Sequence, residues 1–169
     1  MKRILVVYHS LTGGSLQMAR AAADGAAAEQ EVATRLLHAT EAGPADVLAA
    51  DAYIFVTPEN LGSMAGLLKD FFDRTYYAAL DKVNGRPYAT LICAGSDGRG
   101  AARQIERIVT GWRLKSIAEP MIVCTHAQSP EAILQAKLIG AAELASCAEI
   151  GAALAAGLVC AIPLAVLRV

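Results

Sequence analysis

The sequence has little charge and no imbalance of it. Fifteen Lys and Arg stand against sixteen Asp and Glu, a formal net charge of −1, which provides neither the basic footprint of a nucleic-acid binder nor a strongly acidic docking surface. It has no paired cysteines. Cys93, Cys124, Cys147 and Cys160 lie far apart, without a C-x-x-C and without His in metal-ligand spacing, so they read as small, reduced, apolar residues of a cytoplasmic protein that holds no metal. No signal-peptide pattern is present, and the first strand begins within three residues of Met1, so secretion is not expected. Linkers, low-complexity tracts and internal repeats are absent too. With 55% hydrophobic against 18% charged residues, disorder is excluded. One uncharged stretch, from Ile150 to Leu167, reaches the length of a membrane span. It is built largely from Ala and Gly, contains Pro163 and follows Glu143 and Glu149, which favours a packed terminal helix over membrane insertion.

What is present is a regular alternation. Arg3 to Tyr8 is a short apolar run rich in β-branched residues, as in a strand buried on both faces of a parallel sheet. Leu16 to Glu29 is dominated by good helix formers. Strands are expected at Glu31 to Leu37, Asp51 to Thr57 (stopped by Pro58), Tyr88 to Ala94 and Glu119 to Thr125, where Pro120 must sit at the start. A short helix or turn is expected over Pro44 to Ala50 and a helix over Met64 to about Leu80, the latter with Leu67/Phe71 and Leu68/Phe72 inward and Asp70/Arg74 outward. Ile105, Ile108, Val109 and Trp112 mark another helix, and Pro130 or Glu131 opens a long final one. The 169 residues thus make one doubly wound domain of five β/α repeats. Its ligand belongs at the carboxyl ends of the strands.

The chain is organised around Ser10-Leu11-Thr12-Gly13-Gly14-Ser15, between the first strand and first helix. A glycine turn that opens a helix aims several backbone N–H groups and the positive end of the helix dipole at one spot. Ser10, Thr12 and Ser15 add hydroxyl donors, while Lys and Arg are missing from His9 to Gln17. The nucleotide-triphosphate P-loop and the dinucleotide G-x-G-x-x-G are therefore both excluded. A neutral nest of this kind suits one terminal monophosphate. The alternative is an ordinary β-to-α turn with Ser15 as the N-cap.

Two further loops leave the same edge. In Pro58-Glu59-Asn60-Leu61-Gly62-Ser63, Pro58 sets an extended entry, Asn60 and Gly62 tolerate left-handed backbone, and Ser63 offers an N-cap. Such a loop presents backbone groups edge-on to a planar heterocycle. Gly95-Ser96-Asp97-Gly98-Arg99-Gly100 has three glycines in six residues, which allows close approach to a ligand face. Arg99 either sits near that ligand or is a solvated loop charge.

These residues together resemble a family. The first loop looks like the T/S-x-T-G-x-T/S phosphate loop of flavodoxin-like proteins. Thr57 to Gly66 with Leu68 to Arg74 looks like the second loop and helix of the FMN-dependent NAD(P)H reductases of that fold, and the resemblance spans Lys2 to Thr125. It implies an α/β three-layer sandwich with a five-stranded parallel sheet of order 2-1-3-4-5 and helices on both faces. It implies FMN as cofactor and NADH or NADPH as electron donor. Ser10, Thr12, Gly13, Gly14 and Ser15 would bind the phosphate, and Pro58, Glu59, Asn60, Leu61 and Gly62 with Gly95, Ser96, Asp97, Gly98, Arg99 and Gly100 would border the isoalloxazine. Departures from the electron-carrier flavodoxins are clear: neither ring loop contains Trp, Tyr or Phe, and the net charge is near zero. Receiver domains of the same fold would require acidic residues and a Lys where this chain has Tyr8-His9-Ser10, Thr57-Pro58 and Thr125-His126.

The function this implies is two-electron reduction of a small acceptor such as a quinone, with no side chain required as catalytic acid or base. His9 and His126 are more simply hydrogen-bonded loop residues than proton donors. A one-electron carrier of the flavodoxin type, and an interaction module with or without flavin, are the alternatives. Gly140, Ala141, Ala142, Ala145, Ala152, Ala153, Ala156 and Gly157, with the apolar tail Pro163 to Leu167, suggest a homo-oligomer. The competing reading has both segments covering the sheet of the same chain.

Overall fold

In the computed structural model, which describes residues 1–160, β1 (Lys2–Tyr8) runs through the middle of the sheet with Ile4 to Val7 buried. A glycine turn leads into α1 (Gly14–Ala27), and β2 (Val32–His38) then pairs in parallel with one side of β1. The short α2 (Pro44–Ala49) returns the chain to β3 (Ala52–Asn60) on the other side of β1. After a two-residue strand β4 (Ser63–Met64), α3 (Gly66–Ala79) crosses to β5 (Pro87–Ala94), parallel to β3. Next come α4 (Arg99–Gly111), β6 (Lys115–Ser116) and β7 (Met121–Cys124). The chain continues through α5 (Pro130–Leu134) to α6 (Ala141–Val159).

The sheet order is β2-β1-β3-β5, with β6 and β7 both on the outer edge of β5. This is the 2-1-3-4-5 order expected, with the fifth strand broken in two. Pro120 lies in the break, where a missing N–H costs no ladder bond. Strand order reverses between β1 and β3, so the crevice at their carboxyl ends is the natural ligand position.

Three other expectations need correction. β3 does not stop at Pro58 but continues to Asn60 and folds back on β4. In α3, Leu68, Phe71, Phe72 and Thr75 are buried whereas Leu67 faces outward, so the inner stripe is one residue narrower than the i,i+4 pairs suggest; the Asp70–Arg74 pair forms at 2.7 Å. The final helix is interrupted: residues 135–140 form a non-helical strap between α5 and α6.

The two faces of the sheet are covered differently. One is an aromatic core in which Phe55 lies 5.1 Å from Phe72 and Phe72 5.6 Å from Trp112 between ring centroids. The buried Trp112 indole N–H donates to the Tyr76 carbonyl at 3.0 Å, meeting the usual demand of a buried indole. The other face is covered by α1 and α6, whose small residues bring the backbones together. Any side chain at Gly25 would run into the Ala148 carbonyl, and any at Gly151 into the Ala22 carbonyl. Alanine is the better helix former by about 1 kcal/mol, but overpacking a tight contact costs about 1–3 kcal/mol. Gly25→Ala and Gly151→Ala are each expected to lower the unfolding free energy in urea titrations. An increase in either would mean that the helices separate without cost.

Candidate functional site

At the crevice between β1 and β3 the three loops wall a cavity of about 420 Å³. Leu11 and Thr12 come from the first loop, Pro58 to Gly62 from the second, and Cys93 to Ser96 from the end of β5. Thr125, Ala127, Ile133 and Lys137 complete the wall.

The first loop turns at Gly13, whose φ of +88° strongly favours glycine. Gly13, rather than Ser15, is the N-cap of α1. Ser10 Oγ accepts the Gly13 N–H at 3.1 Å, so one amide expected to face an anion is held within the loop. Ser15 is 2% exposed and its hydroxyl has no hydrogen-bond partner among the described residues. A buried, unsatisfied hydroxyl at the head of a helix is unusual enough to require an account.

The strap lies against this head. Lys137 N–H donates to the Thr12 carbonyl at 2.8 Å. Gln17 uses both ends of its amide: Nε2 donates to the Lys137 carbonyl at 2.7 Å and to the Gly13 carbonyl at 3.1 Å, and Oε1 accepts the Ile139 N–H at 3.2 Å. A Cβ at Gly14 would come within 2.6 Å of Cys93 Sγ and 3.2 Å of Lys137 Cβ. A lysine 120 residues from Gln17 thus packs its backbone and Cβ against a cradle whose own sequence carries no Lys or Arg. Nothing in the local pattern at Lys137 marks it; only the break in the final helix brings it there.

The second loop is a tight hairpin, with Glu59 paired to Met64 and Asn60 to Ser63. The positive φ angles fall on Leu61 (51°) and Gly62 (71°) rather than on Asn60, as a two-residue primed turn demands. Ser63 is consequently a strand residue, and Ala65 is the N-cap of α3. Glu59 turns its carboxylate to the third loop, where Oε1 accepts the Gly98 N–H at 2.9 Å and Oε2 the Ala101 N–H at 3.0 Å. It thereby caps α4 across the fold. Gly95 and Ser96 line the cavity, but Asp97, Gly98, Arg99 and Gly100 do not. Gly100 packs on the Gly62 carbonyl, and Arg99 is exposed with its nearest carboxylate, Asp97, at 3.6 Å.

The histidines lie off the cavity lining. His9 Nδ1 and His38 Nε2 are 3.0 Å apart, and His38 Nδ1 is 2.7 Å from Thr40 Oγ1. Burial, and secondarily the His38 neighbour, push His9 below its ordinary pKa of 6.5. His126 is exposed in a left-handed conformation. Cys93 pairs in register with Val123 and Ala94 with Cys124, which sends the two thiols to opposite faces and excludes a disulfide between them. Burial raises the Cys93 thiol pKa, with Lys137 opposing, and burial followed by Glu143 takes Cys147 up to about 11. Among the described residues no cluster of three or more His, Cys, Asp or Glu stands ready to hold a metal.

A parallel 2-1-3-4-5 sheet with a hydroxyl-lined helix head at its switch point defines a flavodoxin-like protein. An archaeal flavodoxin superposes with a TM-score of 0.74 over 90% of this chain and 96% of its own, at 17% identity. The family described as NADPH-dependent FMN reductase matches residues 39–128, and the chain belongs to it. A flavodoxin of Aquifex aeolicus is 32% identical over 59% of this chain and 54% of its own. An NAD(P)H dehydrogenase (quinone) of Acidithiobacillus ferrooxidans is 37% identical over 44% of this chain and 48% of its own. The chain thus spans about half the length of these curated relatives.

Family membership implies FMN, and the residues present fit it. The orphaned Ser15 hydroxyl lies at a helix head suited to a phosphate, and the adjoining cavity is within the size range of cofactor sites.

Two outcomes test this geometry. Glu59→Ala removes two charge-assisted bonds and is expected to cost about 1–3 kcal/mol of stability in urea titrations, with Glu59→Gln intermediate. Because His9 titrates lower folded than unfolded, its contribution is full above pH 6.5 and is lost as pH falls through the folded value. Unfolding free energy should therefore decline on acidification below pH 6.5, and His9→Gln should flatten that decline. Parallel pH profiles for the two proteins would show that His9 contributes nothing.

Proposed function

We propose that this chain binds FMN with its phosphate at the head of α1 and its ring in the adjoining cavity, and acts in the cytoplasm as an oxidoreductase. It takes a hydride from NADH or NADPH and reduces a small apolar acceptor such as a quinone. The observation that carries this reading is the rim. Leu11, Leu61 and Ile133 all line the cavity and are 66%, 105% and 48% exposed, while no Trp, Tyr or Phe stands among the lining residues. An open apolar rim without an aromatic lid leaves room for a second planar molecule against the ring.

Bound FMN supplies the hydride and electron chemistry, and the protein supplies position and electrostatics. Ser10, Thr12, Gly13, Gly14 and Ser15 would hold the phosphate through hydroxyls, backbone N–H groups and the helix dipole. The hairpin from Pro58 to Gly62 and the turn at Gly95 and Ser96 would border the ring. Within that hairpin the Glu59 carboxylate holds the second and third loops in one register. The whole chain serves as one domain in this reading. All of Gly140, Ala141, Ala142, Ala145, Ala152, Ala153, Ala156 and Gly157 are exposed, because α6 packs on α1 with its other face. That free face supports assembly of identical chains; the apolar tail 163–167 lies outside the described residues.

Anaerobic addition of NADPH, then NADH, to FMN-loaded protein is expected to bleach the flavin absorbance rapidly and completely with at least one of them. No reaction with either, together with single-electron steps on chemical titration, would replace this reading with a one-electron carrier. Thr12→Val should weaken FMN binding more than riboflavin binding; equal losses would remove Thr12 from the phosphate site.

A further inference from the structure

The strap carries a cation that the established loop motif does not contain. Lys137 reaches the cavity wall from the far end of the chain, its N–H on the Thr12 carbonyl and its Cβ against Gly14. Its ammonium donates to the carbonyls of Ala132 (2.6 Å), Ile133 (2.9 Å) and Gln135 (2.7 Å), at the carboxyl end of α5. Among the described residues no carboxylate lies within 4.0 Å of it. This is a half-buried positive charge compensated by dipoles only. The helix head against which the Lys137 Cβ packs also carries the buried Ser15 hydroxyl, without a partner among the described residues, and the N–H end of α1. A strap lysine, an orphaned donor and a helix dipole at one helix head suit an anion.

We propose that Lys137 is a phosphate-binding residue of the FMN site, a lysine supplied across the fold by the strap to a cradle otherwise made of hydroxyls and amides. This rests on the FMN reading above and names a further residue within it. The flexible stem allows the ammonium to exchange one α5 carbonyl for a phosphate oxygen. Two of the three carbonyl bonds are solvent-exposed, so water can replace the bond given up. The Gln17 clamp holds the strap backbone in place while the ammonium moves.

The test measures FMN and riboflavin affinities by flavin fluorescence for the wild type, Lys137→Met, Lys137→Gln and Lys137→Arg. The wild type is expected to bind FMN more tightly than riboflavin. Removal of the charge should weaken FMN binding roughly tenfold or more, leave riboflavin binding unchanged and flatten the salt dependence of FMN affinity, with arginine restoring most of the loss. Equal weakening of both ligands would mean that Lys137 only holds the strap, and an unchanged FMN preference would mean that its charge does not reach the phosphate. Either result overturns the lysine assignment while leaving the FMN reading intact. A wild type without preference for FMN over riboflavin would overturn the phosphate cradle itself.

Discussion

Position 14 carries no side chain, and two distant parts of the chain meet the head of α1 there as a result. Cys93 from β5, and Lys137 and Ile139 from the strap, all lie within 4 Å of where a Cβ would be. A methyl group at that point would have to displace a sulfur on a central strand or a backbone tied at three places by Gln17 and Thr12. Packed interiors do not give way over such distances without cost. The head of α1 is therefore seated on the sheet more closely than an ordinary β-to-α turn allows. The strap covers it from the side, and the cavity has a defined floor.

Two helices present their amino ends at this edge, and the fold treats them in opposite ways. The N–H groups at the start of α4 are answered internally by Glu59. Those of α1 are answered only in part, by Ser10 on Gly13, with the Ser15 hydroxyl left over. Each helix dipole favours negative charge at its head. The carboxylate on α4 satisfies the first of these from within the protein and locks the hairpin to the third loop. The second has no carboxylate of its own, and the Lys137 backbone and Cβ pack beside it. The carboxylate thus serves a structural role at α4, while the head of α1 is left for the proposed phosphate.

Most of this fold was legible in the sequence because its signals are local. The run Ile4 to Val7, the glycine turn after it and the strands at Tyr53 to Val56 and Tyr88 to Ala94 each follow from residue type and spacing. Of the candidate site, the turn that opens a helix at Ser10 to Ser15 was legible. It was less so where tertiary contacts decide. Asn60 has a better intrinsic preference than Leu61 for left-handed backbone, yet the register of β3 on β4 places the turn on Leu61 and Gly62. The Glu59 carboxylate finds its partners about 40 residues away, and Lys137 lies in a helical-looking stretch whose break is fixed by Gln17. No periodicity encodes such pairings.

Leu61 shows what the hairpin costs and where the benefit must lie. A leucine held at φ 51° gives up roughly 1–2 kcal/mol relative to right-handed backbone. Its side chain is fully exposed, so no burial against the described residues offsets that strain. Gly or Asn would make the same turn more easily. Leu11 and Ile133, also on the cavity wall, are exposed in the same way. Isolated apolar side chains on a surface need no explanation, but three that converge on one cavity, one of them in strained backbone, form a coherent apolar rim. Such a rim gains free energy only when something flat and apolar covers it. That favours a small molecule over a partner steered by charge, since the acidic residue of the cavity lining, Glu59, is already engaged with α4.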